Sequence, residues 1–146
     1  MIALDTNILI YAVSRDPAKT AVAQSIILRA VVNGGVLPMQ VLAEFANACR
    51  RKHILTAAPV QARIREFADT FHIVGTTPND ITAAVATADR YQLSFFDALI
   101  CNVAAAAGAQ ALLSEDMQDG ARIDMIEIID PFNPANAGRL DQLLGA

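Results

Sequence analysis

Apolar positions follow two alternating patterns along the chain. Short, nearly continuous apolar runs at residues 2–4, 36–37, 72–74, 111–113 and 125–129 are bounded by polar or turn-forming residues. Runs of this length with such boundaries predict buried strands. Between them, apolar residues recur at helical spacing, as with Ala21, Ile27, Leu28, Val31 and Val32. That spacing predicts helices from about residue 8 to the Asp16-Pro17 break, then over 18–33, 40–52, 58–71, 81–91 and 96–107. Asn33-Gly34-Gly35 and Gly108 are stop signals, Pro38 ends the second strand, and Pro59 suits a first helical turn. Residues 115–124 show neither period and are expected to be irregular. The tail, 131–146, predicts one short helix near 139–144.

Short strands alternating with helices predict an α/β fold with a mainly parallel sheet. A length of 146 residues favours one domain, residues 1–146, able to bury its own core. Apolar residues make up 54% of the chain, much of it alanine, which adds to the expectation of helix. The weakly polar stretch 98–113 contains Asn102, Gly108 and Gln110 and lacks basic flanks, so it reads as helix plus strand rather than a membrane span. No basic leader precedes Asp5, and Cys49 and Cys101 sit in apolar helical patterns as buried free thiols. Both features fit a cytoplasmic protein. Two histidines and no CxxC argue against a structural zinc site.

Against this apolar background four acids stand out. Asp5 ends the first strand, Glu44 interrupts Val41-Leu42-Ala43, Asp97 lies between Phe95-Phe96 and Ala98-Leu99-Ile100, and Asp116 follows the strand at 111–113. Acids beside a core are usually paired or bound to a cation. Each also has a simpler reading. Asp5 can cap the next helix, Asp97 can complete a capping box with Ser94, Glu44 can pair with Arg51, and Asp116 can be a solvated loop acid. Together they point elsewhere: clustered carboxylates repel unless a cation is present. An incomplete all-oxygen set suits Mg²⁺ or Mn²⁺, and the chemistry implied is attack of water on a phosphodiester. In an open α/β sheet such a site lies beyond the carboxyl ends of the strands, where Asp5 and Asp116 stand.

Leu4-Asp5-Thr6-Asn7, Glu44, Ser94-Phe95-Phe96-Asp97-Ala98-Leu99-Ile100 and Leu112-Leu113-Ser114-Glu115-Asp116 resemble the PIN-domain family, and more narrowly the VapC-type toxins of bacterial toxin–antitoxin pairs. The resemblance implies a three-layer α/β/α fold with a five-stranded sheet in the order 3-2-1-4-5. It implies a Mg²⁺- or Mn²⁺-dependent endoribonuclease with Asp5, Asp97 and Asp116 as metal ligands and Glu44 completing the catalytic acids. Thr6 and Ser114 would be polar helpers, and Asp119 a possible further acid. It also implies a homodimer and a VapB-type antitoxin whose C-terminal segment covers the active-site groove.

A net charge of −4 and a pI near 5.0 argue against a broad electropositive nucleic-acid surface, yet a metal-filled acidic site changes the local sign. The one basic cluster, Arg50-Arg51-Lys52-His53, is a candidate contact to the RNA backbone, or simply a helix C-terminus favouring cations. Two other functions compete. One is a non-catalytic module on the same fold whose acidic groove receives a basic peptide. The other is a phosphatase with Asp5 as nucleophile, for which a lysine near the phosphate is wanted; Lys19 and Lys52 do not follow strand ends.

Overall fold

A computed structural model describes all residues, Met1–Ala146. The element order is β1 (Ile2–Leu4), α1 (Thr6–Val13), α2 (Thr20–Val32), β2 (Val36–Pro38), α3 (Met39–Arg51), α4 (Ala57–Thr70), β3 (His72–Val74), α5 (Pro78–Tyr91), α6 (Phe95–Ala106), β4 (Ala111–Leu113), β5 (Arg122–Ile123), β6 (Ile126–Ile129) and α7 (Ala137–Leu144).

The sheet order is β3-β2-β1-β4-β6-β5. β1 pairs in parallel with β2 and β4, β2 with β3, and β4 with β6, as expected for a mainly parallel α/β sheet. Every residue of β1, β2 and β4 is buried, which requires cover on both faces.

The strand count differs from the expected five. Arg122–Ile123 forms a sixth strand, antiparallel to β6, in the segment read as irregular. Asp124, at φ 51, makes the tight turn that joins the two. A two-residue strand closed by a left-handed turn carries no periodicity, so the hydropathy pattern could not reveal it.

Two local details explain how the elements stop. Gly34 ends α2 at φ 84, and Gly35 is held where a Cβ would lie 2.7 Å from the Phe71 ring. Helix α6 is buried along most of its length, from Ala98 to Ala104, against the sheet and against α5. Within that buried stretch the one strongly polar side chain, Asn102, is satisfied by Thr87 of α5 at 3.1 Å. The tail helix α7 buries Leu140 and Leu144 and is tied to α2 by Arg29–Asp141 at 2.7 Å. Both cysteines are free and buried, and burial pushes the Cys101 thiol up to about 12. No helix is long and apolar enough to cross a membrane.

Candidate active site

Strands β1 and β4 are neighbours with Leu4 opposite Leu113, so the residues that follow them emerge side by side. Asp5 N–H donates to Leu113 O at 3.0 Å, and Ser114 N–H to Ile129 O at 3.0 Å. The place is the switch point of the sheet, where α1 leaves on one side and the β4 loop on the other.

Asp5 both caps α1 and belongs to the acidic site. One oxygen accepts from Thr6 N–H at 2.7 Å. The other accepts from Ser114 Oγ at 2.8 Å and from Asn7 Nδ2 at 3.4 Å. Its side chain is buried and meets no lysine or arginine. Burial therefore lifts its pKa from 3.8 to about 6, against the Ser114 and Thr6 hydrogen bonds and with help from the Asp97 and Glu44 charges.

Asp97 stands in the first turn of α6. Ser94 Oγ accepts from Asp97 N–H at 3.1 Å, which is one half of a capping box. The reciprocal bond is absent here, whereas both halves form at Thr77 and Asp80 of α5. The Asp97 carboxylate thus keeps oxygens for other partners. Burial raises its pKa; the nearby Ser94 hydroxyl, facing the carboxyl, opposes this, and the charges of Glu44 and Asp116 add to the rise.

Glu44 comes from α3, which begins directly after Pro38 at the end of β2. It does not pair with Arg51. Thr6 Oγ1 donates to it at 2.8 Å and Gln40 Nε2 at 2.7 Å. Asp116 is exposed and accepts from Asn7 Nδ2 at 3.2 Å. Asn7 also donates to Ser114 Oγ at 3.3 Å and accepts from the Glu115 N–H at 3.2 Å. Asn7 and Gln40 were not singled out in the sequence. Asn7 was visible only as part of the Leu4-Asp5-Thr6-Asn7 block, and Ser114 and Asp116, which it joins, lie more than 100 positions away.

The structure thus gathers Asp5, Glu44, Asp97 and Asp116, with Thr6 and Ser114 between them. No three acidic side chains converge on one point in ligand geometry. Uncompensated carboxylates repel, and here neutral donors sit among them: the Thr6 hydroxyl bonds Glu44, and the Asn7 amide bridges Asp5 and Asp116. The donor set still fits a Mg²⁺-like ion, because it is all oxygen and contains a buried acid, Asp5, with no cationic side chain bonded to it. Such an ion keeps several waters and needs only one or two carboxylates.

Asp119 is used differently. Its carboxylate accepts from Asp130 N–H, Asn133 Nδ2 and Asn136 Nδ2, each at 2.9 Å, and so clamps the C-terminal segment. Although desolvation opposes it, these bonds lower its pKa.

Glu44 and Asp116 line a cleft of about 410 Å³ whose walls also include Thr6, Asn7, Tyr11, Arg51 and Lys52; Asp5 and Asp97 are not part of these walls. Arg51 and Lys52 of the basic cluster face this cleft. Arg50 lies instead beside His53, Leu55 and Val60, at a groove between α3 and α4. Along a helix each residue advances the direction by about 100°, which separates Arg50 from Arg51.

The PIN domain model matches residues 2–122, and the chain belongs to the PIN domain family. Among solved structures it is similar to a toxin–antitoxin complex from Klebsiella pneumoniae, with 23% identity, 90% of this chain and 98% of the other covered, and a TM-score of 0.68. It is also similar to VapC20 from Mycobacterium tuberculosis, a Sarcin-Ricin loop cleaving toxin, with 21% identity, 80% and 92% covered, and a TM-score of 0.64. A third is VapBC2 from Rickettsia felis, bound to a DNA fragment from its promoter, with 21% identity, 89% and 100% covered, and a TM-score of 0.65. At these identities the likeness is one of fold. No curated protein sequence matches the chain.

Proposed function

We propose that this protein is the toxin of a toxin–antitoxin pair, a divalent-metal-dependent endoribonuclease that hydrolyses RNA phosphodiester bonds. One observation carries the reading: a buried Asp5 at the β1–β4 switch point, raised toward neutrality and without a cationic partner, beside three further acids. Asp5, Asp97 and Asp116 would hold Mg²⁺ or Mn²⁺. Such an ion, when bound, supplies an activated water and neutralises charge on the phosphoryl group.

The chain's own side chains do the rest. Ser114 and Thr6 N–H fix both Asp5 oxygens, and the Asn7 amide bridges Asp5 and Asp116. Thr6 and Gln40 hold Glu44 at the cleft wall, where it orients the attacking water. Arg51 and Lys52 bind the RNA backbone on the same wall. The new P–O bond forms from water, and the departing ribose oxygen leaves with a proton. The cytoplasm, a homodimer and an inhibitory antitoxin belong to this reading; the fold shared with solved toxin–antitoxin complexes supports the last. If a small gene adjoins this one, co-expression with its product, followed by co-purification, tests it.

Incubation of the purified protein with total RNA tests the enzyme. Cleavage in Mg²⁺ or Mn²⁺, lost with EDTA and in Asp97→Asn, is expected. Cleavage that survives both overturns the reading. A non-catalytic module that accepts a basic peptide has one observation in its favour, the absence of a ready three-acid cluster. It predicts no cleavage of any RNA once the partner is removed.

A further inference from the structure

Phe96 is the only aromatic residue among the large apolar side chains left exposed, at 61%. It immediately precedes Asp97 in the first turn of α6. Its ring meets Phe95 edge-on at 5.3 Å and 75°, and Gln40 Nε2 donates to its carbonyl at 3.4 Å, so both ring and backbone are positioned. Phe96 lines a hollow of about 310 Å³ with Gln40, Ala43, Glu44 and Asn47. Glu44 and Asn47 line the acidic cleft as well, so the hollow continues it on the side shared by α3.

Two amide functions at this hollow are unspent. Gln40 Oε1 is buried without a hydrogen-bond partner. The exposed Asn47 side chain has none within the protein. A fixed aromatic face beside free donors and acceptors has the chemistry that receives an unpaired base, one surface stacking and the other reading an edge. A second copy packed on Phe96 would instead bury Glu44 and these amides without obvious partners, which is unfavourable.

We propose that Phe96, Gln40 and Asn47 form a nucleobase subsite next to the scissile phosphate, with Phe96 as the stacking platform and the amides reading the base edge. The subsite rests on the ribonuclease reading above and adds to it a requirement for one unstacked base seated on Phe96. Phe96 is a substrate-positioning residue; it carries no charge and takes no proton.

Cleavage kinetics of a short single-stranded RNA test this, with wild type, Phe96→Ala and Phe96→Trp. Loss of one stacking contact weakens binding on the order of 10-fold or more. The expectation is a raised KM in Phe96→Ala with a lesser change in kcat, an unchanged salt slope, and recovery in Phe96→Trp. An RNA with one abasic ribose, moved along the strand, should show one position that costs wild type the same factor and costs Phe96→Ala nothing further. Because Phe96 is exposed, folding of the variants is expected to be intact, and thermal unfolding checks it. If wild type cuts RNA and Phe96→Ala cuts it equally well, the subsite is wrong and the nuclease reading stands. If Phe96→Ala changes the sedimentation mass, and the loss follows the mass, the residue belongs to a contact between copies. If wild type neither binds nor cuts any RNA, the nuclease reading fails and takes the subsite with it.

Discussion

Ser114 Oγ donates to Asp5 Oδ2 at 2.8 Å, joining the ends of two adjacent parallel strands across 109 residues of sequence. Ser114 is completely buried. The same oxygen accepts from Asp116 N–H at 3.2 Å, so one hydroxyl sets both Asp5 and the loop that carries Asp116. Ser114→Ala should therefore lower metal-dependent cleavage while costing stability by only about 1–2 kcal/mol. Metal titrations by calorimetry, compared with denaturant unfolding, separate the two effects.

Asp5 makes stability depend on pH in a definite direction. Unfolded, it ionises near pH 3.8; folded, near 6. Between these values the folded state binds the additional proton, so raising the pH costs stability, and the cost is complete above about pH 6. The shift corresponds to about 3 kcal/mol. Without metal, Asp5→Asn should equal wild type below pH 4 and exceed it increasingly up to pH 6, with a constant gap thereafter. A ligand at 100 times its Kd adds about 2.7 kcal/mol to the folded state, so Mn²⁺ should stabilise wild type and not Asp5→Asn. Melting curves from pH 3.5 to 7.5 with and without Mn²⁺ read both effects.

The basic cluster divides by direction. Arg51 and Lys52 line the acidic cleft and make no ion pair, whereas Arg50 borders the α3–α4 groove. Each backbone contact contributes about 0.7 to the salt slope on a single strand. Arg51→Ala with Lys52→Ala should reduce the slope of log K against log salt by about 1.4 and weaken RNA binding, whereas Arg50→Ala should leave the slope unaltered. Fluorescence anisotropy across a salt series measures it.

Asp119 is expected to be structural. Asp119→Ala removes the acceptor shared by Asp130 N–H, Asn133 and Asn136. A loss of about 1–3 kcal/mol is expected, with cleavage per folded molecule retained. Its lowered pKa implies a contribution present above the ordinary carboxylate pKa and lost as pH falls through the folded value. Wild type and variant should converge in acid, which pH-dependent unfolding checks.

Much of this fold was legible because short apolar strands and helical stripes alternate cleanly. The chain from 2 to 113 follows those periods, and boundaries moved by only a few residues: the tail helix starts at Ala137 rather than near 139. The sixth strand was hidden because two residues and a left-handed Asp124 leave no period. At the site, the acids were visible as charges against an apolar background, but their partners were not. Glu44 has Arg51 within sequence reach and bonds instead to Thr6, which the fold brings from 38 residues away. The Lys19–Glu115 ion pair, with Lys19 over the rings of Tyr11 and Phe132, is another long-range contact that no local pattern announces. Asp119 shows the converse: the family resemblance offered it as a further acid for the site, and only the fold reveals the asparagines that occupy it.

On the proposed function, the gathered carboxylates hold a divalent ion for RNA cleavage. Single-turnover cleavage of an RNA mapped as a substrate, with wild type and Asp5→Asn over a Mn²⁺ series, tests it most directly. Saturable Mn²⁺-dependent cleavage by wild type and a loss of at least about 100-fold in Asp5→Asn, at equal or greater stability, is predicted. Cleavage by Asp5→Asn at the wild-type rate, or by wild type in EDTA, would contradict it.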